Sequence, residues 1–540
     1  MGREAMDGES RFLICPRRIG GRFGMTVLMV ALALSPGVPA GAAEDSFGQL
    51  RSAQDEPVRA GYERLYRGDS EGAYQHFKQL AGREPDNLAA AYGVLQAMDA
   101  MGLEEAARQK EFESHSAALL GRAQARYDKN KQDKEALFYL AQAYGTLAKY
   151  KFEHDKGMWG AARDAAKAKN YSEDYVRLDP GRGDAYFTLG MYNYYVDIAP
   201  SFVKFLRVFL FLPGGNRAEG LKQIERAARE GELTGPVATM MLAQIYGFLE
   251  GRPEEGLRLA EELNRKYPDN PEFNFLLARL EASPAVEDFD AAAKSYRGIL
   301  ARAEQGHPHY KGGARYAALS GLARAQQLEW RIEDAVATLT PTIDSGVDKP
   351  DWVLPSFLLS RANLRLLLND PTAEEDTRRV LAQPKWKPWH KTAKQQLEQI
   401  RGLRSSGDAA IYAALIPGNR LVAEGKWEAA EEFYQGMQAK HPGDAQVRYR
   451  LAYLEFARGH LGPALTRFND IANANPGKNP AWLKANALLY LARVHDLQGR
   501  REQAVKLYKR IVDDFEGESA AGAARVGLIS PYRRAARAST

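Results

Sequence analysis

Apolar positions recur along this chain on a helical spacing, and small residues punctuate them. Near the C-terminal end Gly425 is followed by Ala430, Tyr434, Met437 and Pro442. Gly459 is followed by Ala464, Phe468, Ile471 and Pro476, and Gly499 by Ala504, Tyr508 and Ile511. Near the N-terminal end Gly68 is followed by Ala73, Phe77, Leu80 and Pro85. In the middle Gly251 is followed by Gly256, Ala260, Leu263 and Pro268. The offsets are five, four and three residues, and then five wherever the proline is present. Such positions share one face of an α-helix. The leading Gly suits the turn before that helix, where a residue without Cβ is favoured. Proline ends the helix because it cannot continue one. Ten residues beyond the proline a small residue marks the next helix: Gly190 after Pro180, Ala278 after Pro268, Ala452 after Pro442. The pattern predicts pairs of antiparallel helices repeating about every 34 residues.

A ladder of this period and these residue types resembles the tetratricopeptide repeat, TPR. The resemblance implies an all-α, superhelical solenoid of antiparallel helix pairs, each unit touching only its neighbours. It also implies a protein that binds other proteins and rarely does chemistry. Near the end, Ala504-x3-Tyr508-x2-Ile511-x3-Phe515 and then Ser519-x-Ala521-x2-Ala524-x3-Leu528 are similar to TPR units of bacterial envelope proteins. In those the aromatic is usually followed by Pro, and here Glu516 stands instead.

The 540 residues exceed the needs of one compact domain. The solenoid is expected to begin near Glu56, with later units near Ala136, Asp184, Pro236, Pro271, Gly313 and Pro355. The third unit looks stretched, with Lys149 to Phe152 and Met158-Trp159 as extra residues between its helices. Ala382 to Trp389 is rich in Pro and Trp and breaks the helical pattern. Polar residues 401–408 read as a hinge between an N-terminal solenoid, 43–400, and C-terminal units, 409–540. A last helix, from about Ser519 to Ile529, reads as a solubilising cap.

Residues 1–42 read as a signal peptide. Arg17, Arg18 and Arg22 precede an apolar run from Met25 to Leu34, and Ala40-Gly41-Ala42 fits the small-x-small cleavage rule. The run is too short to span a bilayer comfortably, and a retained N-terminal anchor is the competing reading. Cleavage before Ala43 removes the single cysteine, Cys15, with five Arg and three acids, lowering the formal charge from +5 to +3. A cysteine-free exported chain cannot use disulfides. The expected location is outside the cytoplasm, in the periplasm. The weak net charge and the lack of a dense basic face interleaved with aromatics give no support to nucleic-acid binding.

Two places could carry a function. The first is the unit from Asp184 to Glu230, where Gly190 and Gly220 stand 30 residues apart instead of the usual 12. The extra residues include the apolar run 198–212, with Phe202, Phe205 and Phe209 at helical spacing and only Lys204 and Arg207 charged. It reads in three ways: as packing against the solenoid, as a partner-binding element, or as a membrane-surface helix. The second is the concave groove, usually lined by first helices in TPR arrays. Gly418-Asn419 matches the small-Asn pair of TPR carboxylate clamps, but Leu415 stands where the clamp wants Lys. Tyr449, Tyr453 and Phe456 fall at helical spacing on the next first helix, and Arg493 on the last. Aromatic and Arg side chains are common binding anchors, and equally common packing residues.

Catalysis finds no support. There is no His-Glu-x-x-His, phosphate loop, Gly-x-Ser-x-Gly or paired cysteine. The nine histidines are scattered, and His307-Pro308-His309 reads as a surface loop rather than a metal site. The expectation is a scaffold or adaptor of the bacterial cell envelope, with no cofactor and no metal. It would hold a peptide or helix in its groove, with residues 198–212 as a second contact. The alternative is a peripheral membrane protein that uses that same run on lipid.

Overall fold

The computed structural model describes residues 56–103, 105–198, 214–474 and 479–533. The expected signal peptide, 1–42, and the insert's Phe202, Phe205 and Phe209 therefore lie outside the described residues. The described chain is helical, with 24 α-helices, one 3-10 turn and no strand. It falls into two compact units, residues 56–277 with 306–311 and residues 278–305 with 312–533.

The N-terminal unit is built of α1 (Glu56–Tyr66), α2 (Ser70–Arg83), α3 (Leu88–Met101), α4 (Ala106–Lys129), α5 (Lys134–Glu153), α6 (Met158–Leu178), α7 (Ala185–Ile198), α8 (Arg217–Glu230), α9 (Gly235–Phe248), α10 (Pro253–Lys266) and most of α11 (Pro271–Glu281). The C-terminal unit holds α12 (Phe289–Glu304), α13 (Ala314–Leu328), α14 (Ile332–Asp344), α15 (Val353–Leu367), α16 (Ala373–Leu381), α17 (Lys387–Ser406), α18 (Asp408–Ala423), α19 (Trp427–Lys440), α20 (Ala445–Arg458), α21 (Leu461–Ala472), α22 (Ala481–Leu497), α23 (Arg501–Asp514) and α24 (Ala520–Ile529).

The sequence ladder maps directly onto the packing. Gly68, Gly251, Gly425, Gly459 and Gly499 all take positive φ, between 61° and 90°, in the turns before second helices. The ladder alanines Ala73, Ala260, Ala430, Ala464 and Ala504 are wholly buried. So are Phe77, Tyr434 and Phe468, with Tyr508 nearly so. Small residues let helices cross closely: a Cβ on Gly61 or Gly93 would lie 2.3 Å from the Phe77 ring. Side-chain caps start several helices, as Asp69, Asn87, Asp133, Asn216, Asp288 and Asp444 each accept a first-turn backbone N–H.

Two local expectations meet a different outcome. Lys149 to Phe152 and Met158-Trp159 are not loop: they lengthen α5 and open α6, so the stretched unit has long helices instead of a long connection. Residues 401–406 form the last turns of α17, and left-handed Gly407 (φ 80°) joins it directly to α18. The division of the chain falls near residue 278 instead. A polar run reads as linker by composition, yet Leu403 is buried on the inner face of α17, which gives the helix a reason to continue. The Pro/Trp stretch does interrupt the helices, at a 3-10 turn from Pro384 to Trp386, and both Trp386 and Trp389 are buried there.

Each unit curls far enough to touch itself. In the N-terminal unit the Tyr66 ring of α1 lies 5.9 Å from that of Tyr267, just after α10. Asn270 Nδ2 donates to the Tyr66 carbonyl (3.0 Å), and the Tyr66 hydroxyl donates to the Leu233 carbonyl. Tyr62, Tyr92 and Tyr139 lie buried on the first helices, and burial pushes their hydroxyl pKa values well above the usual tyrosine range. In the C-terminal unit, Arg420 on α18 donates to the Trp330 carbonyl (3.1 Å) and to Glu333 (2.8 Å). The Arg450 guanidinium on α20 stacks 4.6 Å from the Trp330 ring centre.

Candidate functional site

Four of the groove residues singled out from the sequence, Tyr449, Tyr453, Phe456 and Arg493, come together around Tyr490 in the C-terminal unit. Helices α20 and α22 run side by side as first helices, so their inward faces meet. The Tyr490 ring stands 5.3 Å from Tyr453, 5.0 Å from Phe456 and 6.2 Å from Tyr449, and it stacks on Phe468 at 5.2 Å. Tyr449 also packs edge-on against Trp482. Arg493, one turn beyond Tyr490, places its guanidinium 5.0 Å from the Tyr490 ring and 4.6 Å from the Tyr532 ring.

Burial separates these residues. Tyr449 is 2 % exposed, Phe456 4 % and Arg493 8 %, so all three are packed. Tyr453 is half-buried and leaves an aromatic edge at the surface of the cluster. Burial opposes the charge on Arg493, but the Tyr490 and Tyr532 rings and Glu287 counter that and keep the guanidinium charged. Burial and then the neighbouring Asp496 push the Tyr508 hydroxyl up, out of the usual range. The carboxylate of Asp496, whose side chain is fully buried, accepts from Tyr508 Oη (2.9 Å), Arg501 Nη1 (3.1 Å) and the backbone N–H of Tyr532 (2.8 Å).

Asn419 does not join this cluster. It is 3 % exposed, and its Oδ1 accepts from the ladder hydroxyl Tyr434 Oη at 2.6 Å. Gly418 beside it is needed because a Cβ there would lie 2.3 Å from Phe433. The small-Asn pair thus serves helix crossing in this structure, and its carbonyl oxygen is engaged internally.

Other residues of interest carry little or no signal in the sequence. Trp330 has no glycine ladder around it, yet it takes the left-handed turn position (φ 62°) that Gly occupies elsewhere. Tyr532 lies beyond the last helix, where no periodicity points to it. Asp376 is buried with Arg361 and also pairs with the half-buried Arg365, and no repeat position signals that ion-pair cluster. Around the insert, the described ends are clamped. Asp197 Oδ2 accepts from the Arg217 backbone N–H (3.0 Å), and Arg217 pairs with Glu250 through two hydrogen bonds of 2.8 and 2.6 Å. Tyr194 Oη donates to the same Glu250 at 2.5 Å. His307 lies 5.0 Å from His309 and 3.8 Å from Asp269, and among the described residues no three metal-binding side chains converge.

Comparison with known proteins bears on the same region. A family described as tetratricopeptide repeat matches residues 421–489, and a second family of that description matches residues 486–517. No curated protein matches the sequence. Solved structures that align with the chain include the human IFIT1 dimer with PPP-AAAA, at 14% identity over 76% of this chain and 88% of that one, with a TM-score of 0.31. The P58(IPK) TPR domain aligns at 14% identity over 72% of this chain and 96% of that one, TM-score 0.18. Naa15/Naa10 bound to HypK-THB aligns at 11% identity over 84% of this chain and 68% of that one, TM-score 0.24. The two family matches span α19 to α23 in full, so residues 421–517 are tetratricopeptide repeats, and the same glycine turns and buried ladder recur outside them.

Proposed function

We propose that this protein is a non-catalytic scaffold or adaptor of the bacterial cell envelope, exported by residues 1–42, which holds a peptide or helix of another protein along the first helices of its C-terminal unit. Tetratricopeptide repeats are generally non-catalytic interaction modules, and this supports the broad class. The observation that carries the finer reading is the aromatic cluster of Tyr453, Phe456 and Tyr490, with Tyr453 half-buried at its rim. A surface already shaped by buried neighbours loses little entropy on binding. Its contacts would be aromatic and guanidinium faces, side chains common among binding anchors.

The test is a photo-crosslinking amino acid at position 453, introduced into the chain in its native cells. A discrete crosslinked partner, recovered from the periplasmic fraction, is the expected result. Crosslinks only within the chain, or a chain confined to the cytoplasm, would refute the proposal.

A second reading is supported by one further observation. Met158 is 52 % and Trp159 47 % exposed at the start of α6, large apolar side chains facing water. The α5–α6 turn leads from a first to a second helix, and Ile198 at the end of α7 and Arg217 at the start of α8 mark the same kind of junction in the next pair. The apolar run 198–212 stands between those two ends in the sequence, and its Phe and Leu beside Lys204 and Arg207 suit a lipid interface. Co-flotation with protein-free anionic vesicles, abolished by Trp159→Asp and by Phe205→Asp, favours this reading. No flotation with the unchanged chain removes it.

A further inference from the structure

The last described residues of the chain sit on the aromatic cluster. Pro531 cannot continue α24 and disfavours helical backbone in the residue before it. Ser530 is accordingly extended (φ −138°, ψ 149°). The extended segment carries Tyr532 back onto α20 and α22. Its ring lies 6.1 Å from Phe456 and 4.6 Å from the Arg493 guanidinium. Its backbone N–H donates to Asp496 Oδ2 at 2.8 Å. Arg501 Nη2 holds the stem by donating to the carbonyls of Gly527 (2.7 Å) and Leu528 (3.2 Å). Tyr532 itself is only half-buried, and Pro531 and Arg533 on either side are exposed. The contacts are therefore those of a ligand: one aromatic anchor, one backbone hydrogen bond to a buried carboxylate, and solvent on both flanks.

We propose that the slot formed by Phe456, Tyr490, Arg493 and Asp496 recognises an extended peptide segment bearing an aromatic side chain, and that the chain's own tail, Ser530–Arg533, occupies it in cis as a self-inhibitory ligand. The proposal rests on groove binding as the function and names both the kind of segment bound and its competitor. The recognition chemistry is specific in outline. The aromatic ring is received by Phe456 and by the cationic face of Arg493. Asp496 reads a backbone N–H, so a proline at the anchor position would be rejected. Tethering keeps the tail at a high local concentration, so a free peptide must compete with it. When the competent state is a minor fraction, apparent affinity falls in proportion to that fraction.

The experiment uses the full chain and a fluorescein-labelled peptide of residues 527–533, followed by fluorescence anisotropy. Circular dichroism confirms folding of each variant. Tyr532→Ala should free the slot, so the peptide binds it at least about tenfold more tightly than it binds the unchanged chain. Tyr532→Phe keeps the ring and should stay closed. A peptide with Ala in place of its Tyr should bind neither. Equal binding to the unchanged and Tyr532→Ala chains, or binding to neither, would overturn the proposal. Unfolding of Tyr532→Ala would make the segment a structural cap and overturn it as well. A partner crosslinked through position 453 without peptide binding would sink the tail inference alone. Loss of both results would remove groove binding itself.

Discussion

Asp376→Ala should locally unlatch the C-terminal unit, and the structure sets the size of the effect. Asp376 opens α16 and is 1 % exposed. Arg361 of α15, 3 % exposed, grips it with two parallel hydrogen bonds of 2.8 and 2.7 Å. Arg365 adds a third at 2.9 Å. With the carboxylate gone, Arg361 is left with Thr340 Oγ1 at 3.2 Å and the solvent-facing Asp344 at 3.6 Å. Removing one partner leaves a buried charge uncompensated, which costs about 3–5 kcal/mol. The readout is native-state amide exchange across Val353–Leu381, because a repeat array need not unfold in one step. At 1.36 kcal/mol per decade, the slowest amides there should exchange faster by about two to nearly four orders of magnitude. The double change Arg361→Met with Asp376→Leu should restore most of the protection, because an apolar pair of similar volume is often no less stable than a buried ion pair. Acceleration of less than about tenfold in Asp376→Ala would show that the pair carries little, and that the α15–α16 joint rests on its apolar contacts.

Three further outcomes are expected. Burial, and then the adjacent Asp290, hold the Glu329 carboxyl up at about 7 against the opposing Arg331 and Arg297. The folded state thus binds the extra proton between the unfolded value near 4.3 and about 7, and stability falls as pH rises through that window. The urea midpoint of the C-terminal unit should drop by an equivalent of about 1–2 kcal/mol from pH 5 to 8, a value reduced for solvent screening, and a flat profile in Glu329→Gln is the check. Gly68→Ala and Gly499→Ala both force alanine to positive φ (89° and 72°), costing about 1–2 kcal/mol. At Gly68 the new Cβ also meets the Asp269 carbonyl at 2.9 Å while nothing lies near Gly499, so thermal unfolding should show the larger loss at Gly68. Tyr434→Phe strips the buried Asn419 carbonyl of its donor and should cost about 1–3 kcal/mol in denaturant unfolding; a neutral result would mean that another group satisfies Asn419.

What the sequence determined by itself is everything that depends on neighbours close in the chain. Helical spacing, a glycine able to take positive φ and a proline unable to continue a helix are local constraints. They account for the helix pairs, the buried Ala73 to Leu80 and Ala504 to Ile511 faces, and the aromatic row of Tyr449, Tyr453 and Phe456. Tertiary structure decided what those faces meet. Sequence periodicity cannot report that Tyr66 returns to Tyr267, because small rotations between successive units accumulate over about 200 residues before the contact forms. Nor can it tell a groove anchor from a packed one. Arg493 and Phe456 occupy first-helix positions that look open in the repeat pattern, and they are covered by Tyr532, 39 positions beyond Arg493 in the chain, while the charge of Glu287, 206 positions before Arg493, favours its guanidinium. The polar run 401–408 fails for the same reason in reverse. Its composition suggests a linker, and the apolar seat for Leu403, which other helices provide, keeps it helical. Asp376 and Arg361 repeat the lesson: charges read as surface on a helical wheel become the centre of a joint once two helices cross over them.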